Sequence, residues 1–167
     1  VVGTIALAGA EEVDAALKSA RACVDSGVLT RPSPVERARI VHRIGQEILA
    51  LAEQCVSLLV AENGKTIAEA QTEIEVAVRY FEYYAGMADK IEGKSIPLGE
   101  DYVDFTVYEP VGVSAQIVPW NYPFDLCCRS LAPALAAGNA VVVKSPELTP
   151  LAMNLIVTAC ERAGLPK

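Results

Sequence analysis

Three polar residues stand where their types and spacing could do chemistry. Asn121 lies in the turn Pro119-Trp120-Asn121-Tyr122-Pro123, directly after an apolar run. Lys144 and Glu147 lie three apart, directly after a second apolar run. The two prolines fix φ on both sides of the turn and bias the residue before each away from helical geometry. A side-chain amide held outward on such a turn is suited to donating to an oxyanion, an effect of about 3 kcal/mol in other enzymes. The same amide is equally suited to capping the next helix or closing the turn. Likewise Lys144 and Glu147 are suited to gripping ribose hydroxyls, or to forming a solvated loop with an ordinary helix-end carboxylate. No G-x-G-x-x-G loop is present, so the usual dinucleotide fingerprint is not available to decide.

These residues need strands and helices to place them. Residues 111–118 and 140–144 are nearly unbroken apolar runs, which predicts strands covered on both faces. Residues 123–137 between them read as a helix, making a βαβ unit with a parallel pair. The ligand side of such a unit is the carboxyl end of its strands, where Asn121, Lys144 and Glu147 all fall. Thr149-Pro150 reads as a further helix start and Gly164 as its stop.

Upstream, residues 1–7 predict a short strand, and residues 11–25 a helix with Val13, Ala16, Leu17 and Ala20 on one face. Residues 34–62 predict one long helix, with Ile44, Ile48, Leu51, Cys55 and Leu58 as its buried stripe. Residues 67–89 predict another, with Ile74, Val78, Phe81, Ala85 and Ala88 inside. Residues 101–109 alternate as a half-exposed strand, whose free edge seeks a partner. The fold class is therefore α/β: N-terminal helices, then the start of a doubly wound, Rossmann-like parallel sheet.

Composition excludes several functions. With 52% apolar and 21% charged residues the chain of 167 is globular. A net charge of −7 without a basic cluster argues against nucleic acid and against an anionic membrane surface. Five cysteines without C-x-x-C spacing and one histidine predict no metal site, and fit a reduced, cytoplasmic protein. No apolar run approaches the ~18 residues that span a bilayer, and the N-terminus lacks the pattern of a signal peptide.

The motifs together carry a resemblance. EPVGVSAQIVPWNYP, LAPALAAGNAVVVK and the following ELTP resemble the cofactor-domain core of the NAD(P)-dependent aldehyde dehydrogenase superfamily, and ENGK at 62–65 and the AGLP at 163–166 agree. The likeness runs over essentially the whole chain. It implies a helical part at 1–93, an oligomerisation-arm strand at 94–110 and the βαβ part of an NAD-binding domain at 111–167, with the catalytic domain lying outside this chain. By the resemblance, Asn121 donates to the oxyanion of a thiohemiacetal. Ile117, Val118, Pro119 and Trp120 line the cofactor cleft, and Lys144, Ser145, Pro146 and Glu147 form the tip that holds the adenosine ribose. It further implies an aldehyde substrate oxidised to a carboxylic acid through a thioester on a cysteine beyond this chain. NAD is the cofactor, with NADP possible, because Glu147 would repel a 2′-phosphate. A homo-oligomer, dimer or tetramer, follows from the arm.

None of the five cysteines lies in the family's nucleophile context, so the 167 residues alone are expected to be inactive. Cys127 and Cys128 read as helix hydrophobes. Tyr122, Asp125, Leu126 and Arg129 match the substrate tunnel. Asp125 and Arg129 are departures from its usual apolar lining; they either pair along the helix or make the tunnel polar, with Arg129 favouring an anionic aldehyde. Ser130 and the Lys-Ser-Pro-Glu order of the tip depart as well. The competing reading is a truncated, non-catalytic binding or interaction module of the same fold.

Overall fold

The computed structural model describes residues 1–166. Four helices come first: α1 (Ala10–Ser26), α2 (Pro34–Ala50), α3 (Ala52–Asn63) and α4 (Ile67–Met87). A small antiparallel hairpin follows, β1 (Ser95–Ile96) with β2 (Asp104–Phe105). The chain then enters β3 (Val113–Ile117), α5 (Pro123–Ala136), β4 (Ala140–Lys144) and α6 (Leu151–Arg162). β3 and β4 are parallel and in register from Val113 opposite Ala140 to Ile117 opposite Lys144, with α5 as the crossover that a parallel pair requires.

Local sequence explains the helix boundaries. Ser33 and Glu36 form a reciprocal capping box on α2, and Thr66 and Glu69 form one on α4. Gly27 and Gly64 close α1 and α3 with left-handed backbone (φ 70° and 80°). The main core is made by α2, α3, α4, α5 and α6, around Ile44, Ile48, Phe81, Phe124 and Leu59. α2 and α4 approach closely at Gly45, where a Cβ would stand 3.0 Å from the Cβ of Phe81.

Several expectations are corrected. Residues 1–7 form no strand and lie exposed, because nothing pairs with them. The face at Val13 and Leu17 is largely exposed, and only Ala20 of that stripe is buried. The long helix breaks at Leu51 and bends by 67°. The apolar stripe survives the bend, and it is Leu59 rather than Leu58 that is fully buried against the core. The alternating segment 101–109 shrinks to the two residues of β2. β3 is shorter than residues 111–118, and neither strand is fully covered: a groove of about 500 Å³ opens between α1, β4, α5 and α6. Among the described residues no single helix is long and apolar enough to cross a membrane.

Candidate cofactor and oxyanion site

β3 ends at Ile117, and the amide of Val118 still donates to the carbonyl of Lys144 (3.1 Å), so the two strand tips stay locked together. The chain then turns outward through Pro119, Trp120 and Asn121, all exposed. Four side chains from distant parts of the sequence brace this turn. Asn63 Nδ2 donates to the Trp120 carbonyl (2.8 Å), as does the Thr149 hydroxyl (3.2 Å). Lys65 Nζ donates to the Asn121 carbonyl (3.3 Å) and lies 4.5 Å from the centre of the Tyr122 ring. From α4, Glu73 Oε1 accepts the amides of Phe124 (2.9 Å) and Asp125 (3.1 Å), the first turn of α5. The other Glu73 oxygen pairs with Lys65. Side-chain exposures of 0% for Glu73 and 7% for Lys65 mean that each charge depends on the other.

This network decides one of the open alternatives. The free amides at the start of α5 are satisfied by Glu73, and no side chain at the turn itself caps the helix. Asn121 therefore does not serve as the cap. Its amide is exposed and takes no hydrogen bond among the described residues.

At the second tip, Lys144 Nζ and Glu147 pair at 2.6 Å, both exposed. The hydrogen bond from Lys144 holds the Glu147 carboxyl below its usual range. Pro146 is buried beneath them, and the Ser145 hydroxyl is buried without a partner. The helix start expected from Thr149 is different in detail, since its hydroxyl is already committed to Trp120. Instead Glu62 reaches across from the end of α3 and accepts the amides of Leu151 (2.6 Å) and Ala152 (2.9 Å).

The tunnel residues separate into two cavities. Tyr122 and Asp125 line one of about 380 Å³, together with Glu69, Thr72, Val76 and Tyr80. Leu126 and Arg129 line another of about 390 Å³, along the free edge of β3 with Gln116 and Ile117. Asp125 and Arg129 form no ion pair among the described residues, so the expected helix pairing is not made. Burial raises the Asp125 carboxyl above its ordinary value, opposed by a hydrogen bond from Tyr80 and by the field of Arg129.

Burial pushes the thiols of Cys55, Cys127 and Cys160 up to about 12 and raises that of Cys128 well above its ordinary value. Near neutral pH these are un-ionised hydrophobes. Among the described residues no group of three or more His, Cys, Asp or Glu is placed to hold a metal.

The bracing residues Glu62, Asn63, Lys65 and Glu73 carry no role in the reading of the sequence. One signal was present: Glu73 falls on the buried face of α4, between Ala70 and Ala77, where an acidic residue needs a partner.

The parallel βαβ unit is that of an α/β protein, and its free amide and Lys/Glu pair stand at the carboxyl strand ends, where such sheets bind ligands. The model of the aldehyde dehydrogenase family matches residues 1–167, and the chain belongs to that family. It is 39% identical over 167 residues to aldehyde dehydrogenase family 2 member B4, mitochondrial, of Arabidopsis thaliana, which covers 99% of this chain and 31% of that protein. With betaine aldehyde dehydrogenase of Bacillus subtilis it shares 37% identity over 170 residues, 99% of this chain and 34% of the relative. Among solved structures, betaine aldehyde dehydrogenase from Staphylococcus aureus in complex with NAD+ superposes with a TM-score of 0.96 at 34% identity, covering all of this chain and 33% of that one. The chain thus spans about a third of the length of these relatives.

Proposed function

We propose that this chain supplies the adenosine side of an NAD site and one oxyanion donor to an aldehyde dehydrogenase. The whole enzyme would oxidise an aldehyde to a carboxylic acid. The observation that carries this reading is the free Asn121 amide on a turn whose Trp120 and Asn121 carbonyls are held by Asn63, Thr149 and Lys65. Because the turn is held by buried partners, the amide needs little reorganisation when charge develops on the aldehyde oxygen.

The tip of β4 fits a ribose. An amine donor and a carboxylate acceptor stand side by side, suited to two adjacent hydroxyls that each donate and accept. Lys144 and Glu147 would hold the sugar, Ser145 and buried Pro146 shape the loop, and Ile117, Pro119 and Trp120 line the strand end beside it. Val118 is buried and so supports this lining from beneath. NAD, when bound, accepts the hydride. Glu147 favours NAD over NADP by repulsion of a 2′-phosphate. Since no cysteine here is poised to ionise, the nucleophile comes from outside these residues, and the 167-residue chain is inactive alone.

The division into a helical part (1–93), an arm (94–110) and a βαβ part (111–167) follows the element order. The arm exposes Leu98, Tyr102, Phe105 and Tyr108, which supports a homo-oligomer of the whole protein. Free, largely buried cysteines support a reducing, cytoplasmic setting.

The test is steady-state kinetics of the enzyme that contains this chain. Asn121→Ala should lower kcat by about 10²–10³ while leaving the KM for NAD near wild type. An unchanged kcat would remove Asn121 from the mechanism. Aldehyde-dependent NADH production by the 167 residues alone would refute the placing of the nucleophile elsewhere.

A further inference from the structure

We infer that the cavity between α4 and the start of α5 binds an ammonium group bearing N–H donors, so that the preferred substrate is an amino-aldehyde. The substrate part rests on the aldehyde oxidation proposed above; the cation part does not. The cavity, about 380 Å³, has the size of a small-ligand site. Asp125 lies in its wall with Oδ1 buried and without a hydrogen-bond partner. An unsatisfied buried acceptor is costly, and a donor arriving in the cavity relieves that cost. Glu69 adds a second carboxylate at the rim, where it accepts only from Thr66.

Among the described residues Asp125 forms no ion pair, although the fields of Arg129 and Lys65 reach it. Lys65 is committed to Glu73, to the Asn121 carbonyl and to the Tyr122 ring, and it is not part of the lining. Arg129 lines the separate cavity along β3 and forms no ion pair with Asp125 among the described residues. The rings of Tyr80 and Tyr122 complete the wall, and aromatic faces attract cations. A quaternary ammonium would leave Oδ1 without a donor, whereas a primary or secondary one supplies it. The aldehyde end is assigned to the adjoining turn, because Tyr122 in the cavity wall directly follows Asn121, the proposed oxyanion donor. This assignment differs from the anionic preference expected from Arg129, which lines the neighbouring cavity along β3.

Two measurements test the inference. The first titrates the chain itself with n-butylammonium and with n-butanol, following the tyrosine ring protons by NMR. Saturable shifts of Tyr80 and Tyr122 with butylammonium, at least about tenfold weaker for butanol and for Asp125→Asn, are expected. Thr72→Arg, which brings a fixed cation to the rim without altering α5, should abolish the shifts, and Arg129→Leu should leave them intact. Equal binding of butanol, or an unaltered titration in Asp125→Asn and Thr72→Arg, would overturn the site. The second compares kcat/KM for 3-aminopropanal and butanal in the enzyme containing this chain. A preference for the amine that falls about tenfold or more in Asp125→Asn supports the substrate class. A preference for an aldehyde carboxylate that Arg129→Leu removes would overturn it. If no aldehyde at all is oxidised, the proposed function fails, and the butylammonium titration still decides the cavity.

Discussion

Replacing Glu73 is the most demanding test of how the Asn121 turn is held. In Glu73→Ala the amides of Phe124 and Asp125 lose their acceptor, and the buried Lys65 ammonium loses its counter-charge. Orphaning one member of a buried pair costs about 3–5 kcal/mol, and a lost helix cap about 1 kcal/mol, with some overlap between them. A total near ~4 kcal/mol corresponds, at a urea m-value of roughly 2 kcal/mol/M, to a midpoint about 2 M lower. Glu73→Gln keeps an acceptor for the two amides but not the charge, so it should fall between, at about 2–3 kcal/mol. Adding Lys65→Met to Glu73→Ala removes the orphaned ammonium, and the double variant should recover about 1–3 kcal/mol relative to the sum of the singles. Urea denaturation followed by circular dichroism and by Trp120 fluorescence reads the wild type, Glu73→Ala, Glu73→Gln, Lys65→Met and the double variant. A Glu73→Ala midpoint within about 0.3 M of wild type, or strict additivity in the cycle, would refute the view that this pair holds the turn.

Further outcomes follow from other contacts. Glu62→Ala should cost about 1–2 kcal/mol and speed hydrogen exchange at the Leu151 and Ala152 amides, which would otherwise remain protected. At Gly45, alanine gains helix propensity of up to about 1 kcal/mol but presses on Phe81, so a net loss of about 1 kcal/mol is expected in thermal melts; a gain would show that α2 and α4 can part. A chromogenic disulfide reagent at mildly alkaline pH should reach only Cys23 among the five thiols of the native protein, and rapid modification of Cys127 or Cys128 would contradict their burial. Asp125 has a raised carboxyl in the folded state, so the wild type holds that proton more firmly folded than unfolded. Its stability relative to Asp125→Asn should be greatest below the ordinary value of 3.8 and should decline as pH rises through the raised one. Melts at about pH 3 and about pH 7 measure the difference, and a pH-independent gap would remove the burial of Asp125 as its cause.

The elements with simple periodicity were legible: α4, α5, β4 and the parallel βαβ unit lie within a residue or two of where apolar spacing put them. The ends of the strands were legible too, and with them the positions of Asn121, Lys144 and Glu147. What the spacing hid was curvature and context. An apolar stripe at intervals of three and four continues unbroken through Leu51, so nothing in its period signals a 67° bend. The runs at residues 1–7 and 101–109 have strand-like alternation, yet a strand needs a neighbour to hydrogen-bond, and these residues have little or none. The brace of the Asn121 turn was largely hidden for another reason. Asn63, Lys65 and Glu73 lie 51 to 57 residues upstream of the groups they hold, and apart from the apolar flanks of Glu73 they look like an ordinary helix end until tertiary contact buries them.

The segment between α3 and α4 has a consequence for how this chain can vary. Within four residues it touches both junctions where strand turns into helix: Glu62 holds the start of α6, while Asn63 and Lys65 hold the turn before α5. The three-residue step from Glu62 to Lys65 is thus a ruler cut to the gap between two strand tips that are themselves locked through Val118 and Lys144. Adding or removing one residue there would misalign the Asn121 turn and the Lys144/Glu147 tip together. A short surface connection, the kind that ordinarily tolerates changes of length, here sets the spacing of the two strand tips.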